Sequence, residues 1–159
     1  MKEINEQQAY LQLAALCARG EHCQHDMTEK MRLWGIDDET QARVMQRLTS
    51  ERYVDDERFA RAFVSDKVRY NRWGRRKVEQ ALWAKHIDEH TAKAVLDEVD
   101  DEEYIAALAP LLKQKRRSTR AASEYELTMK LIKFALSRGF TMDIIKRCIE
   151  VEDEDEFSL

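Results

Sequence analysis

Apolar residues recur along this chain at three- and four-residue steps, and few windows alternate at two. That period predicts a chain built almost wholly of α-helix. From about Asn5 to Ala18, Ala9, Leu13 and Leu16 share a face, with Tyr10 and Cys17 close to it. Gly20 is expected to stop this helix by entering the left-handed conformation. A second helix, from Asp26 or Thr28 to Trp34, carries the stripe Met27, Met31, Trp34 and ends at Gly35. Asp37 reads as the N-cap of a third helix bearing Val44, Met45 and Leu48. In a helix over Phe59–Tyr70, Phe59, Phe63 and Tyr70 share one face with Ala62 beside them. Val64 and Val68 lie round the other side, so neighbours are expected on two sides. Helices over Arg75–Lys85 and Asp88–Val99 follow. A looser set completes the chain. Tyr104–Leu112 has Pro110 near its end or kinking it, and Glu124–Ser137 is stopped by Gly139. Ile144, Ile145, Cys148 and Ile149 follow Phe140-Thr141.

These helices repeat. At a shift of 51 residues Met27 falls on Val78, Met31 on Leu82, Ile36 on Ile87, Asp37 on Asp88, Thr40 on Thr91, Val44 on Val95 and Met45 on Leu96. Ile-Asp-Asp-Glu-Thr and Ile-Asp-Glu-His-Thr are the same device, an apolar residue before a capping Asp. Gly139 stands 104 residues after Gly35. The expected fold is all-α, with three tandem three-helix repeats. Their bounds are 1–52, 53–100 and 101–151, followed by an acidic tail over 152–159. Burying Phe59 or Phe63 gains only about 1.5–3 kcal/mol each, and ordering about fifty residues costs far more than a few such side chains return. The repeats should therefore stack, forming an elongated, curved array.

Composition supports a folded helical chain: 43% hydrophobic and 36% charged residues, with only four Gly and one Pro in 159. Three cysteines, no basic-then-apolar leader and no run long enough to span a bilayer predict a cytoplasmic protein with reduced thiols. Cys17, His22, Cys23 and His25 lack the paired spacing of a zinc site, and four scattered glycines make no phosphate loop. Acidic pairs such as Asp55-Asp56 fit helix starts better than acid–base chemistry. No Ser/His/Asp set is recognisable. The expectation is a non-enzymatic monomer without cofactor or metal.

The net charge of −4 conceals a strong asymmetry. Lys67, Arg69, Arg72, Arg75, Arg76 and Lys77 are six cations with no acid between Lys67 and Val78, and Tyr70 and Trp73 sit among them. Such a corner can track phosphates while its aromatics offer stacking faces, or dock on an acidic protein surface. It can also be a solvated turn whose arginines pair with Glu57, Asp66 or Glu79. Arg and Trp together favour an interface. Gly74 is placed to N-cap the following helix, and Trp73 to pack under the corner and fix its angle. Trp83 lies more than a quarter-turn from the side defined by Val78, Ala81 and Leu82, and either packs on a neighbouring repeat, the favoured reading, or is an exposed anchor. A second basic run, Lys113, Lys115, Arg116, Arg117 and Arg120, is expected in a loop as an auxiliary contact. The acidic stretch Glu150–Glu156 is expected to fray, and can screen the corner.

Tyr53–Ile87, with Y-V-D-D-E-R-F-A-R-A-F-V followed by R-Y-N-R-W-G-R-R-K-V-E-Q-A-L, resembles the RecX family of bacterial recombination regulators. The resemblance implies three tandem three-helix repeats that bind along the deep groove of the RecA–DNA filament. There they would restrain ATP hydrolysis, strand exchange and the co-protease function in the SOS response. Carried over by position, Arg69, Trp73, Gly74, Arg75, Arg76 and Lys77 belong to the binding corner, together with Lys67 and Arg72. Phe59 and Phe63 are carried over as core. His86 stands where the family usually has Gly. The implied partners are the RecA filament and single- or double-stranded DNA. A free-standing, non-specific nucleic-acid binder, or a helical scaffold for some other protein, are the alternative readings.

Overall fold

A computed structural model describes the backbone of residues 3–157 and the side chains of residues 3–150. Among the described residues every regular element is an α-helix. In order they are α1 (Glu6–Arg19), α2 (Gln24–Leu33), α3 (Asp38–Ser50), α4 (Asp56–Arg69), α5 (Arg75–Ala84), α6 (Glu89–Asp97), α7 (Asp101–Ser118), α8 (Glu124–Ser137) and α9 (Met142–Phe157).

The helix ends follow from local chemistry. Asn5 and Gln8 form a reciprocal capping box on α1, Asp100 and Glu103 another on α7, and Ser123 caps α8 through its hydroxyl. The second helix of each predicted repeat closes in one way. Gly35, His86 and Gly139 all take positive φ (76°, 57° and 91°). The next residue's N–H reaches back five positions: Ile36 to the Met31 carbonyl, Ile87 to Leu82 and Phe140 to Ala135, at 3.1, 3.1 and 3.2 Å. This is the Schellman closure, and it drives Ile36, Ile87 and Phe140 into buried positions. His86 makes the turn despite its Cβ.

The chain divides into two compact units, Met1–Phe63 with Leu82–Ala92, and Val64–Ala81 with Lys93–Leu159. In the first, Ala9, Tyr10, Leu13, Ala14, Met27, Met31, Ile36, Val44, Leu48 and Val54 form the core, and Leu16, Cys17, Trp34 and Met45 pack partly against it. The start of α2 meets the α5–α6 turn: His25 stacks on His86 with centroids 3.9 Å apart, and Lys85 pairs with Asp26 at 2.9 Å. In the second unit Val68, Val78, Leu96, Leu108, Leu112, Leu131, Phe140 and Ile145 are buried. Here the start of α5 meets the α8–α9 turn, backbone to backbone.

Five expectations need correction. Gly20 follows α1 in extended backbone (φ 176°), so the first helix does not stop through a left-handed residue. Tyr70 lies beyond α4 and is 80% exposed; Phe59 is buried, Phe63 half-buried, and α4 buries Ala60, Val64 and Val68 as well. Trp83 does not pack: it is 81% exposed, because α5 turns Val78 and Leu82 inward. Pro110 lies inside α7, the second of its two expected places, but the helix continues to Ser118 instead of ending near Leu112. Lys113, Lys115, Arg116 and Arg117 are therefore helical rather than in a loop, where cations complement the negative end of the helix dipole. Finally, α9 carries its backbone to Phe157; the expected tail screen falls largely on side chains outside the described residues.

The glycines differ in what a methyl group would meet. At Gly20 nothing lies within 4 Å; at Gly35 the space is also open but φ is positive; at Gly139 a Cβ would overlap Lys77. Gly20→Ala should leave the urea midpoint unchanged or slightly raised. Gly35→Ala should cost about 1 kcal/mol, and Gly139→Ala on the order of 3 kcal/mol. Equal effects at Gly35 and Gly139 would contradict the close approach.

Candidate functional site

The basic corner joins α4 to α5, and its backbone is tied at several points. The Trp73 N–H donates to the Lys67 carbonyl at 3.0 Å, Gly74 N–H to the Arg138 carbonyl at 2.9 Å, and Arg76 N–H to the Gly139 carbonyl at 3.0 Å. Gly74 precedes α5 in the N-cap position, and its carbonyl accepts from the Val78 N–H at 3.2 Å. The glycine does more than cap. A Cβ there would overlap the backbone of Gly139 and Phe140, and one at Gly139 would overlap Lys77. Gly74 faces the Gly139–Phe140 backbone and Gly139 faces Lys77, so the two chain segments touch where a Cβ on either glycine would clash.

The side chains then divide into two groups. One group finds partners on neighbouring helices. Arg72, left-handed at φ 55°, donates to the Ala107 carbonyl of α7 at 3.1 Å. Arg75 donates to Asp97 at 2.6 Å, and Arg69 lies 3.6 Å from Glu103. The partners of Arg69 and Arg75 are thus on α6 and α7, rather than the expected Glu57, Asp66 or Glu79. Asp97 also accepts from Lys93, and the hydrogen bonds from Lys93 and Arg75 hold its carboxyl below the usual carboxylate range. The Arg69 pair is long and the arginine side chain 65% exposed, so it contributes little.

The other group faces outward around Trp73. The half-buried indole has the Lys77 ammonium 4.6 Å and the Lys67 ammonium 5.0 Å from its ring centroid. Each such contact contributes about 0.5–1 kcal/mol at an exposed site, so Trp73 gathers two lysines that would otherwise repel. Arg76 is exposed, and none of the described side chains pairs with it. Lys67 and Lys77 thus gather on Trp73, and the exposed Arg76 follows on the same fixed backbone.

The second basic run lies on α7 and beyond. Lys115 sits 5.1 Å over the Phe134 ring, Arg116 is mostly buried and 3.4 Å from Glu124, and the Arg120 carbonyl accepts from Lys130 at 2.8 Å. Lys113, Arg117 and Arg120 are exposed.

Other candidate chemistry finds no geometry. Among the described residues no group of three His, Cys, Asp or Glu side chains could hold a metal ion. Burial pushes the Cys23 thiol up to about 11, which makes it an unreactive core residue. No described helix is long and apolar enough to cross a membrane.

Two family models match the chain, the second three-helix domain of RecX over residues 55–96 and the third over residues 101–149. A regulatory protein RecX of Acinetobacter baylyi is 30% identical over 141 residues, which cover 89% of this chain and 86% of that protein. The chain belongs to the RecX family. Other relatives of that name, from Clostridium botulinum and Bacillus cytotoxicus, are 27% and 24% identical, and this chain spans 58% and 56% of their lengths. A crystal structure of RecX from Lactobacillus salivarius superposes with a TM-score of 0.85 at 18% identity, covering 93% of this chain and 96% of that one. A second RecX crystal structure gives 0.83 at 17% identity, covering 91% and 73%. The fold is therefore the all-α array of three-helix repeats of RecX proteins, and the corner lies within the matched second domain.

Position 74 was legible as a cap; its contact with Gly139 was not, although both glycines were conspicuous in a glycine-poor chain. Asp97 and Glu103 were not foreseen as partners, because pairing across more than twenty residues leaves no local spacing to read. The Asp97 carboxyl is depressed, so its ion pairs stabilise the fold fully above the unfolded value near pH 4 and are lost as pH falls through the lower folded value. Asp97→Asn should flatten the stability profile over about pH 5 to 2 relative to the unaltered chain. Superimposable acid limbs in urea titrations would contradict the pairing.

Proposed function

We propose that this chain binds the RecA–DNA filament and modulates, mostly by inhibition, the recombinase, ATPase and co-protease activities of RecA in DNA repair and the SOS response. Membership of the RecX family supports a regulatory role. The observation that carries the reading further is the division of the corner: Arg72 and Arg75 bond to α6 and α7, while Lys67 and Lys77 gather on the half-buried Trp73 and Arg76 is exposed, on a backbone fixed by the Gly74–Gly139 approach. In this reading the outward four meet DNA phosphates or acidic filament surface. Arg69, Arg72 and Arg75 position them, and Lys113, Lys115, Arg116, Arg117 and Arg120 add an auxiliary contact. The repeats are read as 1–52, 53–100 and 101–151.

A pre-positioned patch suits this task because it loses little side-chain freedom on binding. Substoichiometric amounts of the chain should lower the rate of RecA ATP hydrolysis on single-stranded DNA. Arg76→Glu should weaken that inhibition at least tenfold while leaving the urea midpoint unchanged, since Arg76 has no described partner to lose. Full inhibition by Arg76→Glu would remove the corner from the interface. Tight DNA binding without RecA would favour the free-standing nucleic-acid binder. Such binding should fall about a thousandfold between 50 and 200 mM salt if six phosphates are met.

A further inference from the structure

Each compact unit contains one joint of a common plan, in which the start of a helix covers a turn. The start of α2 covers the turn that follows α5, and the start of α5 covers the turn that follows α8. One half of each kind is left over: the start of α8, and the turn that follows α2. Burial reflects this. The residue before the helix is fully buried at Cys23 and buried at Gly74, but its counterpart Ser123 is exposed. A Cβ at Gly139 would overlap Lys77, whereas nothing lies within 4 Å of one at Gly35.

The leftover halves are built like their occupied counterparts. In the α5 joint the Gly74 and Arg76 N–H groups donate to the Arg138 and Gly139 carbonyls. The matching donors on α8 are the Ser123 and Tyr125 N–H groups, and the matching acceptors after α2 are the Trp34 and Gly35 carbonyls. Among the described residues none of these four backbone groups has a hydrogen-bond partner. Each half also exposes one large apolar side chain, Leu33 at 75% and Tyr125 at 76%. Tyr125 holds the place of His25, whose ring stacks on the residue at the occupied turn, His86. Terminal repeats of soluble arrays ordinarily turn a polar outer face to water; these two halves do not. The first turn of α8 is acidic, with Glu124 and Glu126, and the last turn of α2 is basic, with Lys30 and Arg32. Glu124, Glu126 and Arg32 already have partners in the chain, so charge permits a contact between the halves without driving it.

We propose that the start of α8 in one copy docks on the α2–α3 turn of a second copy, repeating between chains the joint made twice within each. Tyr125 lies over the bare Gly35 peptide and against Leu33, while the Ser123 and Tyr125 N–H groups donate to the Trp34 and Gly35 carbonyls. The contact is heterologous. Each copy offers a start to one neighbour and a turn to another, so copies add in one direction. The surface is small, so chains associate only when concentrated or held side by side. A second copy carries the missing half in its own sequence, which no other partner need do. This proposal does not depend on the corner's role.

Sedimentation velocity on the full chain tests it, at about 0.1–1 mM as a weak contact requires. The weight-average mass should climb past that of a dimer. Leu33→Glu and Tyr125→Lys each remove one half. Neither side chain is buried or has a described partner, so the urea midpoints should barely move. Each variant alone should stay monomeric. An equimolar mixture holds one intact start and one intact turn, and should form a dimer and stop there. An unaltered chain that stays monomeric over this range would overturn the proposal. So would self-association that survives in either variant, or a mixture that fails to pair, because the contact would then be symmetric or lie elsewhere.

Discussion

The contact between Gly74 and Gly139 is the constraint on which the candidate site depends. Neither residue has a side chain, and that absence is what the contact needs. With the Cβ atoms removed, the first residues of α5 reach the α8–α9 turn closely enough for two N–H groups of the corner to bond its carbonyls. A junction bearing six cations would otherwise be pushed apart by its own charge. Two peptide hydrogen bonds, the Arg75–Asp97 pair and the Arg72 contact with α7 hold it in one conformation. What remains outward is a small set of positive groups around an indole.

The same joint is built differently in the first unit. There the start of α2 meets the α5–α6 turn through a His25–His86 stack and the Lys85–Asp26 pair. His86 keeps the left-handed backbone that glycine provides at the two corresponding turns, at some cost in strain. Its imidazole occupies space that the second unit leaves to backbone. One repeat plan thus yields a joint made of side chains and a joint made of main chain. The latter carries the cations of the candidate site.

The repeats were legible because burial and turn geometry recur at fixed offsets. Met27 and Val78, Met31 and Leu82, and Ile36 and Ile87 are all buried as the 51-residue shift predicts, and Gly35, His86 and Gly139 share one closure. What failed were inferences about which surface a helix finally hides. Tyr70 and Trp83 are large and apolar and were assigned to packing, yet both lie outside because neighbouring valines and leucines fill the core. The candidate site residues were visible as a charge run, but not which of them bond to neighbouring helices and which gather on Trp73. That division rests on Asp97, Glu103 and the Ala107 carbonyl, distant partners that local patterning cannot supply.

The account's central claim is that the corner is locked to the α8–α9 turn by main-chain bonds. Amide hydrogen exchange at Gly74 and Arg76 tests it most directly, since each N–H has a carbonyl partner across the joint. Both amides should exchange as slowly as those inside α5, with protection approaching that of global unfolding. Exchange at rates typical of an exposed loop, while α5 itself stays protected, would contradict the claim.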